Sequence, residues 1–152
     1  GEQAIKKSGC LYIIIRTAWL YSGYGHNFVK TISRLASERD ELNVVSDQWG
    51  TPTYAGDLAE AIISIMERDD LPELEGVYHF TNEGACTWYD FAKEIVALTE
   101  ANCKVNPVTT EEYPSKVKRP AYSILDKTKI KETFNLEIRD WREALKSCMA
   151  TF

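Results

Sequence analysis

A small set of side chains in this sequence has the types and placement to hold a ligand: Trp19, Tyr21, Asn27, Phe28, Gln48, Thr53 and Arg119. Trp19 and Tyr21 follow the β-branched run Ile13-Ile14-Ile15, in the stretch Arg16-Thr17-Ala18-Trp19-Leu20-Tyr21-Ser22. An apolar strand ending in aromatic and small polar residues is where open α/β sheets place ligands, outside the carboxyl ends of their strands. The competing reading is core packing, the usual fate of large aromatics. Asn27 precedes Phe28 where a helical periodicity begins. It is either a plain N-cap or the edge of a helix start whose free N–H groups meet an anion. Asp47-Gln48-Trp49-Gly50-Thr51-Pro52-Thr53 is the most specific string in the chain. A turn accounts for Gly50 and Pro52. It does not require Gln48, whose amide donates and accepts at once, or the paired threonines. Arg119, ahead of Pro120, carries a planar fork suited to phosphate oxygens; a solvated loop arginine is the bland alternative. None of these residues is given a catalytic role.

Two further patterns are decoys. Tyr89-Asp90-Phe91-Ala92-Lys93 matches Tyr-x-x-x-Lys, the pairing of a proton donor with an amine that depresses its pKa. Thr87 followed by Asp90 predicts a helix capping box, and Phe91, Ile95 and Leu98 continue at helical spacing. Tyr89 and Lys93 are then ordinary i, i+4 neighbours. Gly23-Tyr24-Gly25 follows a strand, but no later glycine completes a dinucleotide fingerprint. His79 reads as structural within its strand, and His26 as a variable loop position.

The elements that must position these residues alternate along the chain. Residues 2–8 read as a helix ending near Gly9. Leu11 to Arg16 reads as a buried strand, and Gly23 to Asn27 as a loop. A helix from Phe28, with Ile32 and Leu35 on its apolar face, ends in the solvated Glu38-Arg39-Asp40-Glu41. Leu42 to Val45 is a short strand. Pro52 excludes a helix around it. A helix from about Ala55 to Arg68 presents Leu58, Ile62 and Ile65 on one face. Gly76 opens a strand through Phe80, and the capped helix from Thr87 follows. Val105 to Val108 is extended, Thr109 to Tyr113 is one helical turn, and Lys116 to Tyr122 is loop. Asp126 and Asp140 cap the last two helices. Alternating strands and helices indicate an α/β domain.

The 152 residues suffice for one domain with a real core, and 44% hydrophobic with 27% charged residues is ordinary globular composition. The net charge of −5 and the lack of a long basic block disfavour a nucleic-acid partner. Binding of an anion would rest on local positive groups such as Arg119, with Lys116 and Lys118 adding charge nearby. Cys10, Cys86, Cys103 and Cys148 form no C-x-x-C and have no neighbouring histidine, which points to free thiols and a cytoplasmic setting, with no metal site. No apolar run is long enough for a membrane span.

Taken in order, Arg16 to Ser22, Asn27-Phe28-Val29-Lys30, Asp47 to Thr53 and Ala55-Gly56-Asp57-Leu58-Ala59 resemble the dTDP-4-dehydrorhamnose reductases, which are extended short-chain dehydrogenases. The resemblance runs almost to the C-terminus. It implies the end of a Rossmann-like sheet plus a small α/β substrate-binding domain, with residues 1–152 forming the C-terminal portion. The family's catalytic Tyr-x-x-x-Lys is followed shortly by Gly-Glu, and this chain begins at Gly1-Glu2. The resemblance therefore puts the glycine-rich turn, the catalytic pair and the NADPH or NADH site upstream, and implies that this portion alone is inactive. It puts Trp19 beside the sugar and nicotinamide, with Tyr21 at the same strand end. Asn27 and Phe28 fall near the sugar nucleotide, and Gln48 and Thr53 in a loop at the thymidine end. Arg119 falls on the diphosphate. The family often has Phe at Trp49; both offer a stacking face. The implied partners are a dTDP-sugar and the cofactor-binding half. An open strand edge keeps a homodimer among the alternatives. Rival readings are a non-catalytic relative, like the regulatory β subunit of methionine adenosyltransferase, or another nucleotide-sugar epimerase or reductase.

Overall fold

The computed structural model describes residues 1–113, 117 and 119–151. Lys116 and Lys118, read above as added charge, lie outside the described residues. Two hydrophobic cores organise the chain. The first joins α2 (Phe28–Glu38), β3 (Glu41–Val45), α4 (Trp88–Leu98) and α6 (Trp141–Met149) around Phe91, Ile95, Trp141 and Leu145. The second joins β1 (Ile13–Arg16), α3 (Ala55–Met66), β6 (Gly76–His79) and α5 (Thr128–Phe134) around Ile65, Tyr78, Phe80 and Ile130. Short strands β2 (Leu20–Tyr21), β4 (Trp49–Gly50), β5 (Thr53–Tyr54) and β7 (Cys86–Thr87) stitch the segments between. Helix α1 (Glu2–Ser8) ends at Gly9, whose φ of 72° is a left-handed C-cap that favours glycine.

The pairings are β1 with β6, β2 with β5 and β3 with β8 (Lys104–Val108), all parallel, and β4 with β7, antiparallel. Leu42 and Val44 of β3 turn inward while Glu41 and Asn43 face water. Pro107 sits in β8, which pairs on one side only, and an edge strand tolerates the missing N–H. The expected capping box is present. The Thr87 hydroxyl accepts from the Asp90 backbone N–H at 3.1 Å, and the Asp90 carboxylate accepts from the Thr87 N–H at 3.0 Å. Tyr89 and Lys93 lie on that helix with the ammonium 5.3 Å from the ring centre, a cation–π pair on a helix surface. Asp126 also caps as expected, accepting from Thr128 N–H at 2.9 Å, although the residue at the cap position itself is Lys127.

The structure corrects three expectations. The run Glu38-Arg39-Asp40-Glu41 is not a helix end throughout: Arg39 turns extended and Glu41 begins β3. The inward face of α3 is Asp57, Ala61 and Ile65, and Ile62 remains 36% exposed. Strand β1 is half-buried, because β6 covers one edge and an open groove of about 530 Å³ runs beside it. Ile13, Ile15, Ile62 and Met66 line that groove. No described helix is long and apolar enough to cross a membrane.

A buried polar knot ties the two cores together. Asn82, fully buried, accepts from Tyr54 N–H at 2.8 Å and donates to the Asp57 carboxylate. Arg139 grips Asp57 with two N–H donors at 2.9 and 2.6 Å and donates to Ser147 Oγ at 2.7 Å. Such a knot stabilises only while every member is satisfied. Asn82→Ala leaves the buried Tyr54 N–H without its acceptor and takes one of two donors from Asp57 Oδ2. It should lower the free energy of unfolding by about 2–4 kcal/mol, measured by urea denaturation. A loss within about 0.5 kcal/mol, the range of an ordinary surface change, would show that the knot is not an essential joint.

Candidate functional site

The start of α2, strand β3 and the turn after β8 enclose a cleft of about 570 Å³, a size that suits a nucleotide-like ligand. Phe28, Trp88, Gln48, Thr110, Arg39 and Arg119 contribute to its lining. Each is placed by an identifiable local device. Asn27 caps α2 by accepting from Lys30 N–H at 3.1 Å, which sets Phe28 as the first helical residue. Thr87 caps α4 and so sets Trp88 as its first residue. Phe28 and Trp88 then meet at 4.6 Å between ring centres.

Trp19 stacks on Trp88 at 3.6 Å, with the rings 15° apart. Its φ of 48° lies in the left-handed region, which costs about 1–2 kcal/mol for a residue with a side chain. The stack and a close neighbour hold it there. A Cβ built on Gly50 would overlap the Trp19 indole, so only glycine allows this approach. Further in, Phe28 stacks on Phe91 at 5.6 Å, and Phe91 meets Tyr21 at 5.4 Å and the edge of Trp141 at 5.6 Å. One aromatic ladder thus runs from the cleft wall into the core.

At the opposite wall, Asp47 accepts from Thr110 three times, from its N–H at 3.1 and 3.0 Å and from its hydroxyl at 2.6 Å. These bonds, the hydroxyl first, hold the Asp47 carboxyl below the usual aspartate range. Gln48 Nε2 donates to Thr110 Oγ1 at 3.0 Å. Thr109 and Glu112 add a second cap to the turn, with Thr109 N–H donating to Glu112 at 2.7 Å. Arg119 reaches the cleft because the strand next to it is clamped: Trp49 N–H donates to Ala121 O at 2.8 Å, and Ser123 N–H donates to Trp49 O at 2.9 Å. Arg119 is exposed, and none of the ion pairs among the described residues uses it.

The residues singled out in the sequence divide accordingly. Phe28, Gln48 and Arg119 come together in the cleft. Trp19 stands one ring behind it. Asn27 lies at the cleft's helix start, but its amide is engaged by Lys30 N–H and by Ser22 O at 2.8 Å. Tyr21 is 2% exposed and Thr53 is fully buried, its hydroxyl donating to Ala18 O at 2.6 Å. Both sit inside the fold, and burial pushes the Tyr21 phenol well above its usual range. Trp88, Thr110 and Arg39 escaped sequence reasoning. For Trp88 a signal existed, since a first-turn aromatic directly after a capping threonine has a fixed position.

The loop holding Gly23 and Gly25 closes on itself: Asn27 Nδ2 donates to Ser22 O, and Lys30 Nζ donates to Gly23 O at 3.0 Å. No cluster of potential metal ligands occurs among the described residues. All four cysteines are unpaired, and burial raises the Cys86 and Cys148 thiols to about 12 and about 11, which makes them inert packing groups.

Known proteins share this architecture and sequence. A dTDP-4-dehydrorhamnose reductase from Aggregatibacter actinomycetemcomitans is 46% identical over 99% of this chain and 54% of its own length. A crystal structure of a dTDP-4-dehydrorhamnose reductase from Bacillus anthracis, in complex with NADP, superposes with a TM-score of 0.89 at 40% identity. That match covers 99% of this chain and 51% of the other. A Clostridium acetobutylicum structure of the same name gives a TM-score of 0.85 at 46% identity, over 92% of this chain and 48% of the other. The chain spans about half the length of the curated relatives it matches. The fold is therefore that of the substrate-binding portion of an extended short-chain dehydrogenase, and the family model that fits is described as the RmlD substrate binding domain. With that model matching residues 1–152, the chain belongs to the RmlD substrate binding domain family.

Proposed function

We propose that this chain is the C-terminal, substrate-binding portion of an NAD(P)H-dependent dTDP-4-dehydrorhamnose reductase, and that the cleft holds the dTDP moiety. One observation carries this reading: an aromatic wall, an amide and a guanidinium with no ion pair among the described residues converge on a single nucleotide-sized volume. Phe28 and Trp88 offer apolar faces to the ligand. Gln48 meets the base edge. Arg119 takes the diphosphate, where a fork binds two oxygens at once. Trp19 braces Trp88 and lies toward the sugar. Asn27 sets the helix start, and Tyr21 and Thr53 act from within the fold as supports. The glycine-rich turn, the NADPH or NADH site and the tyrosine–lysine pair belong, in this reading, to a preceding portion. That portion would also cover the apolar groove along β1. No step of hydride transfer falls to the residues described here.

Three outcomes follow. The chain alone should not oxidise NADPH with a dTDP-4-keto sugar; turnover above background in a preparation free of host reductase would refute the division of labour. In the full-length protein, Tyr89→Phe should leave kcat within about threefold, because the phenol belongs to a surface cation–π pair. Removal of an essential proton donor would instead cost about 10²-fold or more. Finally, Arg119→Ala should weaken dTDP-sugar binding by about 1.5–3 kcal/mol in calorimetric titration, and Arg119→Lys should recover only part of it. NADPH affinity should be unchanged. Unaltered dTDP-sugar affinity would return Arg119 to the role of a solvated surface charge.

A further inference from the structure

The bonds around Thr110 fix the orientation of the Gln48 amide. Asp47 carries acceptors only, so at 2.6 Å the Thr110 hydroxyl must give its proton to the carboxylate. Its oxygen can then only accept from Gln48. The Gln48 atom facing Thr110 at 3.0 Å is therefore Nε2, and the amide cannot turn over without leaving two acceptors in contact. Gln48 is 6% exposed, so water offers little help to a reversed amide. Its Oε1 has no partner among the described residues. It is also not among the buried orphans, which are Tyr21 Oη and Trp141 Nε1, so it is not sealed in the interior, and Gln48 is one of the residues that line the cleft.

We propose that Asp47 and Thr110 act as positioning residues that lock Gln48 with its carbonyl oxygen, flanked by one N–H, toward the cleft, so that the site selects pyrimidines carrying an imide N–H. This rests on the proposed base site. A thymine or uracil edge offers a donor at N3 beside a carbonyl acceptor, which matches an acceptor–donor pair. Cytosine offers the reverse, an acceptor at N3 beside an amino donor. A free glutamine satisfies either edge by rotating half a turn; a locked one satisfies only the first. The discrimination thus arises one and two hydrogen bonds away from the ligand. The turn that carries Thr110 is held independently, by the Thr109–Glu112 cap and by Thr110 N–H donating to Asp47. A substitution of the Thr110 side chain therefore leaves the wall in place.

The test is calorimetric titration of dTDP, dUDP and dCDP into the full-length protein, wild type and two variants. Wild type should bind dTDP and dUDP comparably and dCDP about tenfold or more weakly, the scale of one lost hydrogen bond with an unpaired partner. Including dUDP separates the imide edge from contacts to the thymine methyl. Thr110→Val should bring the dTDP-to-dCDP ratio below about threefold, since the amide is free to rotate. Asp47→Asn offers Thr110 Oγ1 either a donor or an acceptor, so it loosens the relay and should likewise narrow the dTDP-to-dCDP ratio. A Thr110→Val protein that loses affinity for both nucleotides equally, with the ratio intact, overturns the positioning role. A wild type that binds dTDP and dCDP alike overturns this inference alone. A wild type that binds none of the three overturns the proposed base site together with it.

Discussion

Burial of a polar segment is the constraint on which the rest of this structure depends. Gly50, Thr51, Pro52 and Thr53 are all buried, in a stretch too irregular to satisfy its own backbone. Each polar group must find a distant partner, because an orphaned one costs about 1–3 kcal/mol. Thr51 Oγ1 donates to Gly84 O, Thr53 N–H to Trp19 O, and Thr53 Oγ1 to Ala18 O. Tyr54 N–H donates to Asn82, and exposed Trp49 reaches Ala121 and Ser123. Three separate regions of the chain are thereby drawn to one short string. The cleft is a by-product of that convergence, since Gln48 leaves the string on one side and Arg119 is carried in by the clamp on Trp49.

The aromatic ladder from Trp88 through Phe28 to Phe91 and Trp141 gives the cleft a rigid wall. Aromatic side chains lose little rotamer freedom when they order, so such a wall suits a flat ligand. The opposite wall works by hydrogen bonds fixed from behind. One side of the site thus contributes area and the other contributes direction, a division common in ligand pockets.

Much of the scaffold was legible in the sequence because its signals are local. The Thr87–Asp90 box, the Asn27 and Asp140 caps and the alternation in Leu42 to Val45 each need only neighbouring residues. The strands β4 and β5 were not legible. They have two residues each and exist only through partners supplied by distant segments. The same holds for the Asp57–Asn82–Arg139 knot, whose members stand 25 and 82 residues from Asp57. Ile62 misled for a related reason: periodicity shows that a helix has an apolar side but not which part of it finds a neighbour. Of the residues that line the cleft, Phe28, Gln48 and Arg119 were recognisable by chemical type. Trp88 and Thr110 act by position, which composition does not reveal.

Among the described residues three of the four strand pairs are parallel, and each therefore needs a crossover. Asn43 and Asn106, which face each other across β3 and β8, are 63 residues apart in the chain. Strand β1 likewise waits for β6. Loops of that length must close before any of their hydrogen bonds reward the ordering, which makes such pairings slow to form. During synthesis, β1 and β3 leave the ribosome well before their partners do. In that interval the edges that await β6 and β8 present unpaired backbone groups, an invitation to pair with the wrong chain. Kinetic vulnerability is thus written into the order of the strands, and the helices α2 and α3, which follow β1 and flank β3, are the local structures that can shield those edges until β6 and β8 arrive.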